Sequence, residues 1–361
     1  MAHIKTRRIY DEALQYEKIY SAWNTVYHTC KNQQGKFEFA LFAHARVSRI
    51  LDELRNRTYQ PYKYRCFMIF EPKPRLVMSQ SIRDKVVNHF VAREYLIPLL
   101  DRSLIDTNVA TRTEMGSSYA SKMLRRYFSQ IMAEEPGKKI YALKIDVSKY
   151  FYSINHDKLF EMLERKIKDK DVISLLKKIV DETDKPYINM VIDNFNHKYG
   201  TDIPHYEAGK GLSIGAMTSQ FLAIFYLNGV DHYIKESLKC RYFIRYMDDF
   251  LILGCDKKCL WRIKAEVEIQ LEKLDLRVNP KSTIYSCMDG SGFTFLGYRY
   301  YVDKKNRLRI VCMAGTVRRI RKRLRLLAVH DPDKRLRSYE SYRGYFLYTV
   351  PIKAMERVVG T

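Results

Sequence analysis

Apolar residues return every three or four positions along much of this chain, a spacing that predicts helices. Tyr16 to Thr29 and Phe37 to Arg57 come first, separated by the polar turn KNQQGK. RCFMIFEPKPRLVMSQ then reads as strand, turn, strand, interrupted by Pro72 and Pro74. Ser81 to Leu100 is a long amphipathic helix ending near Pro98, and Ser117 to Ala133 is another, broken by Glu-Pro-Gly. KKIYALKIDVSKYF opens as a short strand, and Asp157 to Asp181 is helical. Lys185 to Lys210 is polar and weakly patterned, rich in Asn, Asp, His and Gly. Ser219 to Leu238 is helical again. Two strands, CRYFIRYM and FLILG, follow, joined through Asp248 and Asp249, and Lys257 to Leu274 is a helix. In VRRIRKRLRLL, Val317, Ile320, Leu324 and Leu327 recur at helical spacing with six basic side chains between them. There is no internal repeat or low-complexity linker, and composition shifts near Gly315.

Charge gives this pattern a direction. The 361 residues carry 64 Lys+Arg against 41 Asp+Glu, a net +23, which calls for a polyanionic partner such as nucleic acid. From Arg299 to Arg343 there are 15 basic and 4 acidic residues, a surplus of 11. Within it Arg318, Arg319, Arg321, Lys322 and Arg325 are the candidate nucleic-acid contacts; the bland reading is a solvated helix with snorkelling side chains. No apolar run reaches membrane-spanning length, and the first residues are charged, without an apolar signal region. Seven irregularly spaced Cys argue against a disulfide scaffold. The expected location is the cytoplasm. Cys255 and Cys259 lack further ligands nearby and read as reduced structural thiols, while His89 and His232 read as packed or surface groups.

The candidate chemistry lies in carboxylates. Ala142 to Asp146 is a short apolar strand ending in an acid, and in FIRYMDDFLIL apolar runs flank Asp248 and Asp249. Adjacent like charges in an apolar setting repel unless a cation sits between them. Mg²⁺ takes carboxylate oxygens and phosphates, and two such ions about 4 Å apart serve in-line phosphoryl displacement. The competing reading is a turn in which Asp satisfies backbone donors.

Tyr246-Met-Asp-Asp249 resembles the YxDD signature of reverse transcriptases, and further motifs follow in that family's order from about Tyr62 to Tyr348. FEPKPR resembles the fingers motif that reaches the incoming triphosphate, which implies that role for Lys73 and Arg75. IDVSKYF resembles the first catalytic motif, with Asp146 and the backbone at Val147 as metal ligands. Phe151, five residues after that Asp, stands where the family has a steric gate against ribose. GLSIGAMTSQ resembles the motif lining nucleotide and template. Lys281, in Asn279-Pro-Lys-Ser282, matches the candidate proton donor to pyrophosphate. FLGY, Phe295 to Tyr298, resembles the primer-grip hairpin.

The departures point to a subgroup. Ile214-Gly215 with Ser219-Gln220, where many members have Gln-Gly and Ser-Pro, is similar to diversity-generating retroelement enzymes and to related antiphage-defence enzymes of bacteria, and so is SYESYRGYFLY, Ser338 to Tyr348. Ile214 cannot offer the hydrogen bond of Gln, so the resemblance implies low fidelity from Ile214 and Gln220; the alternative is that Ile214 only packs.

The resemblance implies an α/β (α+β) right-hand polymerase: an N-terminal helical extension 1–60, fingers 61–145, a palm 146–298 with a polar insertion 185–210, and a primer-grip exit with a short basic helical thumb 299–361. The expected activity is RNA-directed DNA synthesis from dNTPs with two Mg²⁺ ions, on a structured template or non-coding RNA, giving a cDNA product. First choice is a diversity-generating retroelement with a basic accessory protein oligomer; the alternative is antiphage defence. The insertion is either an idiosyncratic hairpin or a contact for RNA or an accessory protein. Tyr interleaved with Arg in SYESYRGYF suits stacking on bases, or a packed thumb helix. With some 30 residues after the basic helix, no ribonuclease H or endonuclease domain is expected. A non-catalytic RNA-binding scaffold is the rival class, and it has no use for clustered acids in a polyanion groove.

Overall fold

The computed structural model describes residues 8–70 and 73–346. Glu71 and Pro72 of FEPKPR, and Leu347 and Tyr348 of the C-terminal stretch, lie outside the described residues. Nine strands are present among them: β1 Arg65–Ile69, β2 Arg75–Ser79, β3 Tyr141–Ile145, β4 Phe243–Tyr246, β5 Asp249–Gly254, β6 Thr283–Ser286, β7 Phe293–Phe295, β8 Tyr298–Val302 and β9 Leu308–Cys312.

The central sheet has the order β4-β5-β3-β6, each neighbouring pair antiparallel. Phe250 to Leu253 are buried in succession along β5, as expected of a strand covered on both faces. Side chains alternate between two cores. Leu143, Ile145, Phe243, Phe250 and Ile252 join the main cluster. Ala142, Ile244, Leu251 and Leu253 join a second, with Leu124 and Phe128 of the helix Ser117–Glu134 and Phe293 and Tyr300 of the small sheet β7-β8-β9. This two-residue period places every acid at the β3 and β5 ends in fixed register.

The N-terminal helices, Ile9–Ala13, Tyr16–Thr29, Gln33–Leu41 and Ala43–Arg55, pack into the same main core. The single helix expected over 37–57 is therefore two, broken at Phe42 with φ −130°. The helix Ile82–Val91, capped by Ser81 Oγ accepting from the Asp84 N–H, widens to a π-turn at Ala92–Leu96 and runs on to Leu100, past Pro98, which has no N–H to give. The stretch 157–181 also divides, into His156–Lys166 and Lys170–Val180, because Asp169 stops one helix and caps the next through the Asp171 N–H at 3.0 Å. Ser219–Leu238 likewise divides, into Met217–Tyr226, Asn228–His232 and a π-turn to Ser237.

The segment 185–210 differs most from its weak pattern. It holds a helix, Pro186–Tyr199, opened by Pro at its first turn and closed by Gly200 at φ +59°. Ile188 and Ile192, one turn apart, are buried against Tyr64, Leu76 and Met78 of the β1–β2 region. The insertion is thus a buttress of the β1–β2 hairpin and not a free hairpin of its own.

FLGY forms the β7–β8 turn, with Leu296 and Gly297 both at positive φ and Phe295 paired with Tyr298. Boundaries expected at 145 and 298 fall at the end of β3 and at the first residue of β8. The basic helix Ala314–His330 packs Ile320 and Leu324 against Phe346 of Pro332–Phe346, in a small cluster apart from both cores. All seven Cys are free. Among the described residues no helix is long and apolar enough to cross a membrane.

Candidate active site

The register of the central sheet gathers the three acids. Ile145 pairs with Phe250, so one further step sets Asp146 opposite Asp249. Tyr246 pairs with Asp249, leaving Met247 and Asp248 as a two-residue hairpin turn, with Met247 at φ +55°. All three carboxylates are half-buried. Asp146 and Asp249 are held from different directions. Asn279 Nδ2 donates to Asp146 Oδ2 at 2.8 Å, and the Asn279 N–H donates to the Asp146 carbonyl at 2.7 Å. Ser282 Oγ accepts from the Asp146 N–H at 3.0 Å. Val147 is buried and bridges to Val278, so the strand carrying Asp146 continues beside the Asn279–Ser282 turn. Lys144 Nζ lies 3.3 Å from Asp249 Oδ1. Lys281 is exposed at the same turn, its N–H donating to Asn279 Oδ1 at 3.0 Å.

Two positions that sequence patterning misses lie beneath the turn. Arg245 and Asp231 are both fully buried and form a bidentate pair, with 2.6 Å from Nε to Oδ1 and 2.6 Å from Nη2 to Oδ2. An Arg inside a strand carries no periodic signal of burial, and its partner is 14 residues away.

Burial, first, and then the neighbouring Asp249 and Asp146 push the Asp248 carboxyl up to about 6, against a backbone N–H and Arg75. Burial and Asp146 also raise Asp249, with Lys144 opposing. This is an all-oxygen, mutually repelling donor set, and its chemistry fits a hard divalent cation such as Mg²⁺. The ligands must be deprotonated to bind. The Mg²⁺ concentration for half-saturation is therefore expected to fall about fivefold as pH rises from 5 to 6 and to level off near pH 7, as read by titration calorimetry. Without metal the sign reverses. Asp248, its carboxyl raised from 3.8 to about 6, favours the fold below pH 3.8 and loses that contribution as pH rises through about 6.

The β1–β2 hairpin and the 211–216 loop meet beside this acidic end. The Met78 N–H donates to the Ile214 carbonyl at 3.0 Å, zipping β2 to the loop. A Cβ on Gly215, at φ +121°, would stand 3.3 Å from Val77 and 3.4 Å from the Met78 carbonyl, so the approach suits glycine. Ile214 is half-buried and belongs to none of the hydrophobic clusters among the described residues. Phe151 is half-buried at the edge of the main core, and its carbonyl accepts from the Leu212 N–H at 2.7 Å. The neighbouring Tyr152 ring packs 4.6 Å from Tyr206 of the insertion. Tyr206 in turn fills the space over Gly211, where a Cβ would come 2.4 Å from its ring. Arg75 and Lys73 are exposed on the hairpin, and Arg75 is near enough to lower Asp248. Gln220, with Gly215 and Met217 of the same stretch, lines a cavity of about 520 Å³ that also holds Lys31, Lys85 and His89.

Other groups stay apart from the acids. His156, Asp181 and Asp184 bring ligand-type atoms within 4.8 Å of one another, against the Gly209–Gly211 loop. Of the cations on the basic helix, Arg318, Arg319, Lys322 and Arg325 are exposed and Arg321 is half-buried. His232 is held by Glu236 and the Ser103 carbonyl, and His89 sits half-buried in the cavity wall.

An antiparallel sheet with acids at one end, the β1–β2 hairpin and a separate helical pair make a mixed α/β right-hand polymerase fold. Residues 71–300 match the family described as reverse transcriptase (RNA-dependent DNA polymerase), and the chain belongs to that family. A Saccharomyces cerevisiae protein described as a COX1/OXI3 intron 1 protein is 25% identical over 302 residues, 71% of this chain and 35% of that protein. The chain thus spans about a third of that relative's length. Telomerase from Candida albicans, solved in complex with a TWJ fragment of telomeric RNA, is similar with a TM-score of 0.50 at 11% identity, over 84% of this chain and 59% of that one. Apo telomerase from Candida tropicalis gives 0.48 at 15% identity, over 69% and 48%.

Proposed function

We propose that this chain synthesises DNA on an RNA template from dNTPs. The observation that carries the reading is the convergence of Asp146, Asp248 and Asp249 at one end of the sheet, beside the loop and hairpin expected to hold the nucleotide. The three carboxylates, with the backbone at Val147, would hold two Mg²⁺, which when bound lower the pKa of the attacking 3′-hydroxyl and neutralise the leaving pyrophosphate. Arg75 as a fork and Lys73 as a point charge bind the triphosphate. Phe151 excludes a ribose 2′-hydroxyl, and Lys281 donates a proton to pyrophosphate. In this reading 61–145 acts as fingers, 146–298 as palm and 299–361 as thumb. Arg318, Arg319, Arg321, Lys322 and Arg325 grip the template-primer backbone, with an affinity that falls steeply with salt. Primer extension on RNA, with and without Mg²⁺, tests the proposal; an inactive wild-type protein that binds RNA supports the scaffold class instead.

We place the enzyme in the cytoplasm, copying the dedicated RNA of a diversity-generating retroelement with a basic accessory oligomer. The support is the Ile214/Gln220 pattern, together with an Ile214 side chain outside the core clusters. Neighbouring DNA decides: a near-repeat pair differing at adenines supports this role, and a non-coding RNA gene without such a pair supports phage defence. Ile214→Gln is expected to lower misincorporation, most opposite template adenine, by about fivefold, one hydrogen bond being worth about 1 kcal/mol. The check is sequencing of extension products, and an error profile equal to wild type rejects the role of Ile214.

A further inference from the structure

Arg245 is the bulkiest of the fully buried side chains, and it carries a charge. Apolar residues of equal volume would fill the same space at least as stably, so stability alone does not explain a buried ion pair. What a guanidinium adds is a planar fork of five N–H donors in fixed directions. Here these donors make four hydrogen bonds to three different elements. Two go to Asp231, which orients the plane. One goes at 2.8 Å to the Ile224 carbonyl, near the end of the helix Met217–Tyr226 that follows the nucleotide-lining loop. One goes at 2.6 Å to the Met247 carbonyl, in the turn that carries Asp248.

The Arg245 backbone is fixed as well. Its N–H donates to the Thr107 carbonyl at 2.9 Å, and its carbonyl accepts from the Val109 N–H at 3.0 Å. Beyond it, Met247 takes φ +55°, a region that residues other than glycine seldom occupy. A strained residue persists where its surroundings over-determine it, and the Arg245 bond to its carbonyl is such a constraint.

We infer that Arg245, oriented by Asp231, is a positioning residue: it holds the Met247 carbonyl so that Asp248 and Asp249 face Asp146, and it sets the spacing between that turn and the nucleotide-lining helix. The inference rests on the polymerase reading for its consequence in catalysis, and on geometry alone for its consequence in metal binding.

Arg245→Lys keeps the charge and loses the fork; Asp231→Asn keeps the shape and loses the partner charge. For protein shown folded by thermal melting, either change is expected to weaken Mg²⁺ binding in calorimetry, and to lower kcat, by about 10- to 100-fold, as for other supports of metal ligands. KM for dNTP moves far less. Adding Met247→Gly to Arg245→Lys is expected to restore part of both losses, because glycine adopts the turn unaided. A packing role alone predicts no such rescue. Folded Arg245→Lys with wild-type Mg²⁺ affinity and kcat overturns the inference, and so does a loss that Met247→Gly leaves untouched. If Arg245→Lys does not fold, Asp231→Asn gives the same two readings. A wild-type protein that binds Mg²⁺ but makes no DNA defeats the polymerase reading, while the calorimetric comparison still decides the inference.

Discussion

Asp248→Asn is expected to reduce DNA synthesis by at least about 1,000-fold while leaving the protein folded. The amide has the shape of the acid and none of its charge. It cannot neutralise a divalent ion, and several kcal/mol of transition-state stabilisation go with it. Stability moves the other way. Asp248 is raised by burial and by its neighbours Asp249 and Asp146, so a neutral group relieves strain in the metal-free fold. Near neutral pH the metal-free variant should therefore melt at or above the wild-type temperature. Primer extension and a thermal melt on one preparation check both halves; cDNA made at the wild-type rate ends the catalytic claim for this turn.

Gly292→Ala is expected to do the opposite, damaging the fold far from the acids. A Cβ there would lie 2.1 Å from the Tyr300 carbonyl oxygen and 2.8 Å from Tyr301 Cβ. The obstacle is backbone, and it cannot retreat. Tyr300 is fully buried, stacks on Phe293 at 5.4 Å and shares a 2.8 Å hydrogen bond with Ser121. Overpacking of this kind costs about 3 kcal/mol. The melting temperature should fall by about 4 °C, measured by calorimetry or circular dichroism. An unchanged melt would mean that β7 and β8 can part without loss.

How much of this was legible in the sequence depends on the range of the interaction. The β4–β5 turn is legible because apolar runs on both sides of Asp248 and Asp249 leave little but a hairpin. β3 and the β1–β2 hairpin follow in the same way. The helix Pro186–Tyr199 is hidden because only Ile188 and Ile192 are buried along it, too few to mark a period. The break at Phe42 has no Gly or Pro to announce it. In the site, the identities of the three acids are legible and their supports are not. Asn279 and Ser282 reach Asp146 across more than 130 residues, and no local pattern reports such contacts. Arg245 is hidden for a related reason. A cation in a strand suggests solvent, until its partner is seen in the adjoining helix.

The N-terminal helices share the main core, and their polar anchors come late in the chain. The Tyr10 N–H donates to Asp169, 159 residues onward, at 2.9 Å, and Arg57 pairs with Asp171 across 114 residues. A ribosome making this protein releases residues 9–57 long before either acid exists. Those helices can pack on one another and on Ile82–Val91 as soon as it emerges, while these two anchors wait for the stretch around Asp169–Asp171. Contacts so distant in sequence close slowly, because the loop between them must first be ordered. The anchors of Tyr10 and Arg57 to the 169–171 stretch are thus made after the packing of these helices on residues 82–95 is possible. A nascent chain stalled before residue 169 would leave the Tyr10 N–H without Asp169 and Arg57 with Asp11 as its acid partner.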